Sequence, residues 1–166
     1  MSAKYYYLVT SLPYLRFDRE NPITGKIFLA ECRKLVSKRD YMAILKVNIN
    51  KRLPRKSDPL IVKKWKKFDL ELRKKLAVVR KDKEHASKKD LPAGLRDALS
   101  EEDPLLREKE IDKAKWDFIE TEEKKYKFDV TWLMIYFMKL QILGNLSRFD
   151  HDRGKQVFEK ACEVVI

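Results

Sequence analysis

Residues able to carry chemistry are few and poorly placed to share it. Asp82 and His85 stand at carboxylate-x-x-His spacing, and Glu108 and Asp112, four apart, share one helix face. A di-iron bundle needs two carboxylate-x-x-His units and further inward glutamates. This sequence offers one such unit, in a stretch that reads as a loop. His151 lies between Asp150 and Asp152 at the expected start of a helix, where acidic residues are favoured anyway. Cys32 and Cys162 are far apart and form no Cys-x-x-Cys pair, which argues against a thiolate zinc site. Neither has a histidine placed to act as its base, and Cys162 falls on an apolar helix face. Gly154-Lys155 lacks the preceding glycines of a phosphate-cradling loop. The expectation is a protein without catalytic residues, metal or cofactor.

The run "VKKWKKFDLELRKKLAVVRKDK" interleaves lysines with Trp65 and Phe68, as a base-stacking platform would. Both aromatics, however, fall on the apolar stripe of a helix and point inward. No helix-turn-helix, zinc-finger or RNA-recognition signature accompanies them. Nucleic-acid binding is therefore the alternative reading, and nonspecific binding at low salt is expected of the charge alone. The net charge of +12 is uneven: residues 33–100 hold 22 Lys/Arg against 8 Asp/Glu, a net of +14, while residues 101–166 carry a net of −3. A basic middle of this kind suits nucleic acid, anionic lipid or an acidic protein.

The elements that must position these residues read as helices throughout. Four glycines and six prolines in 166 residues are too few for the turns of an all-β chain. Asp58-Pro59 predicts an N-cap and a first helical proline, followed by a stripe of Ile61, Trp65, Phe68, Leu72, Leu76 and Val79. A helix over 59–82 would be about 36 Å long. Asp103-Pro104 repeats the cap ahead of Ile111, Ala114, Phe118 and Ile119, with Trp116 beside them. Asp129 caps "VTWLMIYFMKLQIL", apolar almost all round and thus expected at the centre of the fold. Lys139 and Gln141 within it, and its length short of about 20 apolar residues, argue against a membrane span.

Thr24 predicts a cap for a helix using Phe28, Cys32, Leu35 and Val36, and Ser37 with Asp40 a capping box ahead of Tyr41, Ile44 and Leu45. Residues 154–165 show one more amphipathic pattern. The opening "YYYLVTSLPYL" looks like a strand by propensity. A lone strand among helices would leave its backbone unpaired, and Tyr5, Leu8, Val9 and Leu12 share one helix face, so helix is expected there. Tyr6 and Tyr7 then flank the buried stripe. The fold class expected is an all-α bundle of seven or eight helices around 130–143. It is one domain over 1–166, or two lobes that meet at a mobile boundary near 82–92. No signal peptide is apparent, and two unpaired cysteines suit a reduced, cytoplasmic setting.

Three stretches together carry a resemblance: "YYYLVTSLPYL", "FDLELRKKLAVVR", and "DPLLREKEIDKAKWDFIE" with the following "FDVTWLMIYFMKLQILGNLSRFDHDRGKQVFEKA". They resemble a small bacterial family typically encoded beside V-type ATPase genes, similar in turn to the funnel-like stalk-coupling component (C-type or d-type) of V- and A-type ATPases. The resemblance implies an all-helical, non-catalytic part seated between the rotor ring and the central stalk. It implies other V-type ATPase subunits as partners and a peripheral place at the inner face of the membrane. On it, Tyr5 to Leu12 match the opening motif, and Leu72, Arg73 and Leu76 a middle one. Lys139, Gln141 and Asn145 fall in a polar-studded helix. The chain departs in being shorter than that coupling component and in Gly144-Asn145, which is expected to break the buried helix. Partner contact is expected from Tyr6, Tyr7 and Tyr14, with Lys63, Lys64 and Lys67 steering an acidic partner. Leu72 and Leu76 are structural, and Arg73 is expected either in solvent or paired with Glu108 or Asp112.

Overall fold

Six α-helices and no strand make up the regular structure of the described residues. These are residues 4–17, 19–51, 53–81, 95–96 and 103–147 of the computed structural model. The helices are α1 (Tyr6–Ser11), α2 (Gly25–Leu35), α3 (Lys38–Leu45), α4 (Leu60–Lys81), α5 (Pro104–Glu123) and α6 (Val130–Leu146). The expected helix at 154–165, Cys162, both histidines and the lobe boundary near 82–92 lie outside the described residues.

Local chemistry starts most of these helices where expected. The Thr24 hydroxyl accepts from the Ile27 amide, Ser37 from Asp40, Asp103 from Leu105, and Asp129 from Trp132, each satisfying a first-turn donor that the helix itself cannot. The opening segment is helical. Tyr5, Leu8 and Val9 are buried, and Leu12, which precedes Pro13, takes the extended conformation that ends α1.

Three expectations need correction. Asp58 does not cap α4: the Lys63 amide closes onto the Pro59 carbonyl, so Pro59 holds the cap position. The Asp58 carboxylate instead takes the Arg55 amide at 2.8 Å and the Lys66 ammonium at 2.6 Å. Leu35 and Leu45, expected in the core, are exposed at the ends of α2 and α3, whereas Val36, just past α2, is buried as expected. Gly144-Asn145 does not break α6, which runs on to Leu146. A single glycine costs a helix only about 1 kcal/mol, and a Cβ built there would meet nothing within 4 Å.

The core forms around two lines of contact. α6 packs against α2, α3, α4 and α5, and its buried side chains include Leu133, Ile135, Met138 and Ile142. Gly25 admits α2 closely, since a Cβ there would meet the Phe137 ring at 3.3 Å. α4 and α5 run antiparallel: Lys64 pairs with Glu122, Phe68 stacks on Phe118 at 4.1 Å, and Leu72 and Leu76 cluster with Ile111.

Two stability measurements follow. Leu8→Asp buries an unpaired charge and should cost about 3 kcal/mol or more in denaturant unfolding, whereas Tyr7→Asp, at an 86% exposed site, should stay within about 0.5 kcal/mol. Gly144→Ala should raise stability by about 0.5–1 kcal/mol, because the added methyl meets no neighbour in a helical backbone. A loss instead would mean that the helix does not continue through this position.

Candidate interaction surface

The opening segment is held at both ends, and that fixes what it displays. At its start the Tyr5 amide donates to the Phe128 carbonyl at 3.0 Å, and the Tyr5 hydroxyl donates to the Asp40 carboxylate at 2.5 Å. Lys4 reaches the same carboxylate at 2.8 Å. Hydrogen bonds from Lys4 first and Tyr5 second hold Asp40 below the usual carboxylate range, against a smaller upward push from burial. This replaces half of the expected capping box, because the Ser37 amide is met by the Tyr5 hydroxyl at 3.4 Å. At the other end the Tyr136 hydroxyl donates to the Pro13 carbonyl at 2.7 Å. Burial, with Glu123 nearby, pushes the Tyr136 hydroxyl pKa well up, so it remains a donor at any ordinary pH.

Phe128, in the turn between α5 and α6, has φ 55°, a left-handed conformation uncommon for an aromatic residue. Its carbonyl receives Tyr5, and its ring lies 4.9 Å from that of Tyr6. Tyr6 in turn meets Tyr7 edge-on at 5.7 Å. Tyr7 and Tyr14 are 86% and 77% exposed, so two aromatic side chains project from a segment bonded at both ends.

Beside Tyr14 is a cavity of about 160 Å³ lined by Pro13, Leu15, Trp132, Glu123, Tyr136 and Lys139 among others. Lys139 is almost wholly buried. Its ammonium lies 2.5 Å from Glu123, 3.7 Å from Glu120 and 5.1 Å from the centre of the Trp116 ring. Charge pairing and the ring face compensate the loss of water around it. The cavity falls below the size of ordinary ligand sites. Gln141 and Asn145, further along α6, are also engaged internally. Gln141 bonds the Val47 carbonyl and the Ile49 amide, both at 3.1 Å, and Asn145 bonds Asn50.

The three lysines expected to form a steering patch have different surroundings. Lys64 pairs with Glu122 at 3.1 Å and bridges α4 to α5. Burial would raise the Glu122 pKa, but Lys125 and Lys64 together hold it below the usual carboxylate value. Lys63 bonds the Lys56 carbonyl at 2.9 Å, and Lys67 is exposed. Sequence periodicity missed Lys66, which is 3% exposed and donates to both Asp58 and the Leu53 carbonyl. The one available signal was Asp58, eight residues earlier. Arg73 pairs with Asp69 on its own helix at 2.7 Å, and Asp112 with Lys115 at 2.8 Å, so the expected bridge from Arg73 to Asp112 does not form. Arg73 and Glu108 do line one groove between α4 and α5, of about 440 Å³, over the buried Leu72, Leu76 and Ile111.

Among the described residues no group of three His, Cys, Asp or Glu side chains is placed to hold a metal. Cys32 is fully buried and its thiol is pushed up to about 12, chiefly by burial and then by Glu31, so it is a poor nucleophile. No helix is long and apolar enough to cross a membrane among these residues. A protein-family model described as "Protein of unknown function (DUF2764)" matches residues 89–165, a span that takes in α5 and α6 and begins after the opening tyrosines and α4. No curated protein and no solved structure matches the chain.

The buried Lys66–Asp58 pair yields a pH test. Burial pushes the Asp58 pKa up, but the Lys66 ammonium and the Arg55 amide more than offset this, leaving it below 3.8. A carboxylate depressed on folding stabilises above its unfolded pKa, and the contribution disappears as pH falls through the folded value. Asp58→Asn should cost about 3–5 kcal/mol at neutral pH by stranding the Lys66 charge and should flatten the loss of stability below pH 3.8. Adding Lys66→Met should recover a substantial part of that cost in denaturant titrations, since no buried charge then remains.

Proposed function

We propose that the chain is a non-catalytic docking protein of a V-type rotary ATPase, a component or assembly factor similar to the stalk-coupling part that joins the central stalk to the membrane rotor ring. On this reading it is cytoplasmic, peripheral at the inner face of the membrane, and built about α6 as its central helix. The family resemblance of its opening, middle and late stretches supports the reading. One structural observation carries the docking part: Tyr7 and Tyr14 are exposed on a segment bonded at both ends, to Phe128 and Asp40 on one side and to Tyr136 on the other. Tyrosine concentrates binding energy at interfaces, and a prearranged backbone spares the ordering cost that a mobile segment would incur.

Affinity purification of the tagged chain from its native organism at moderate salt should recover central-stalk or membrane-sector ATPase subunits. Tyr7→Ala with Tyr14→Ala should lower that recovery at least tenfold, on the scale of two interface tyrosines, with helix content unchanged. Recovery of nucleic acid alone would replace this reading with the nucleic-acid one, because electrostatic nucleic-acid binding weakens steeply with salt whereas a packed interface does not.

A further inference from the structure

The outward face of α4 has a pattern that neither the core nor the tyrosine surface uses. Opposite its buried stripe, Leu60, Lys63, Lys67, Leu70, Lys74 and Val78 follow one another at steps of three and four residues, which places them in one line along the helix. The line is about 27 Å long. Leu60, Leu70 and Val78 are 67%, 41% and 60% exposed. Lys67 and Lys74 are exposed and meet no carboxylate among the described residues. Glu71 is the one acidic side chain on this face of α4. At the start of the helix, the turn before it adds Leu53, 75% exposed, with Arg55 and Lys56. The buried Lys66 holds that turn in place through the Leu53 carbonyl and Asp58.

We propose that this face of α4, with the turn at its start, lies on the anionic surface of a lipid bilayer. Lysines on such a face extend their stems along apolar surface and place their ammonium groups at the level of lipid phosphates. The aliphatic side chains between them enter the boundary of the acyl region, as on helices that lie in the interface plane. The spacing discriminates against other partners. Leu60, Leu70 and Val78 are about 15 and 12 Å apart along the helix, too dispersed for the contiguous cluster of aromatic and arginine anchors that binds a protein. A fluid interface accepts each side chain separately. A single-stranded nucleic acid would need aromatic platforms, and the two aromatics of α4, Trp65 and Phe68, face inward. The inference goes beyond the ATPase reading, and its test does not depend on any ATPase subunit.

The test is co-sedimentation of the full chain with vesicles of equal parts phosphatidylcholine and phosphatidylglycerol, and with vesicles of phosphatidylcholine alone. Binding is expected to the first and not to the second. Lys67→Gln and Lys74→Gln should each weaken it about fivefold at low salt, while Lys127→Gln, at an exposed site outside α4, should leave it unchanged. Equal loss at Lys127 would overturn the assignment to α4. Any chain of net charge +12 is drawn to anionic vesicles, so the leucines decide. Leu60→Ser with Leu70→Ser should weaken binding about tenfold or more in a protein of unchanged circular dichroism. A Leu60→Trp side chain should be quenched by brominated acyl chains beyond the background of the native tryptophans. Binding indifferent to the leucines, or a tryptophan at 60 that escapes quenching, overturns the proposal. So does leucine-independent binding to duplex RNA or polyglutamate that exceeds binding to the vesicles.

Discussion

A helix that is apolar on nearly every side must be covered on nearly every side, and α6 places that demand on the helices packed against it. Leaving Leu133, Ile135, Met138 or Ile142 in water would forfeit about 1.5–3 kcal/mol apiece, so neighbours are recruited from distant parts of the chain. α2 and α3 come from the first third and α5 from the adjoining hairpin, while α4 reaches it from the basic middle. The short opening helix also depends on α6, through the bond from Tyr136 to Pro13. A six-residue helix is not stable alone in water, so α1 depends on its packing against α2 and on this bond just past its end.

Two buried lysines show how the fold handles charge inside that apolar frame. Lys139 on α6 points between Glu120 and Glu123 of α5 and over the Trp116 ring, tying the α5–α6 hairpin together. Lys66 on α4 bonds Asp58 and the Leu53 carbonyl and fixes the turn that leads into its own helix. Such pairs are weak evidence of stability, since well-packed apolar replacements often do as well. They do set geometry. A lysine that must satisfy its charge at one place in the interior also determines where the chain around that place can go.

The outer surface reflects this internal order. On one side stand tyrosines on a pinned backbone; on another, lysines and aliphatic side chains alternate along a rigid helix. The described residues gather no metal-ligand cluster, and the one described cysteine is buried and hard to ionise.

Much of the architecture could be read in the sequence because it rests on local rules. The caps at Thr24, Ser37, Asp103 and Asp129, the end of α1 before Pro13, and the stripe from Ile61 to Val79 follow from hydrogen-bond geometry and helical period within a few residues. The exposure of Tyr7 follows from its place beside the buried stripe of Tyr5, Leu8 and Val9. What the sequence could not decide were matters of long-range partnership. Asp58 has the form of a cap and serves instead as the counter-ion of Lys66, because a buried ammonium competes for the carboxylate. Ser37 and Asp40 have the form of a reciprocal box, yet Tyr5, more than thirty residues away, takes one half of it. Arg73 finds Asp69 on its own helix and leaves Asp112 to Lys115. Local propensity and periodicity act over one or two turns and are written in adjacent residues. The choice among several charged partners is made only when tertiary packing sets which of them lose their water together.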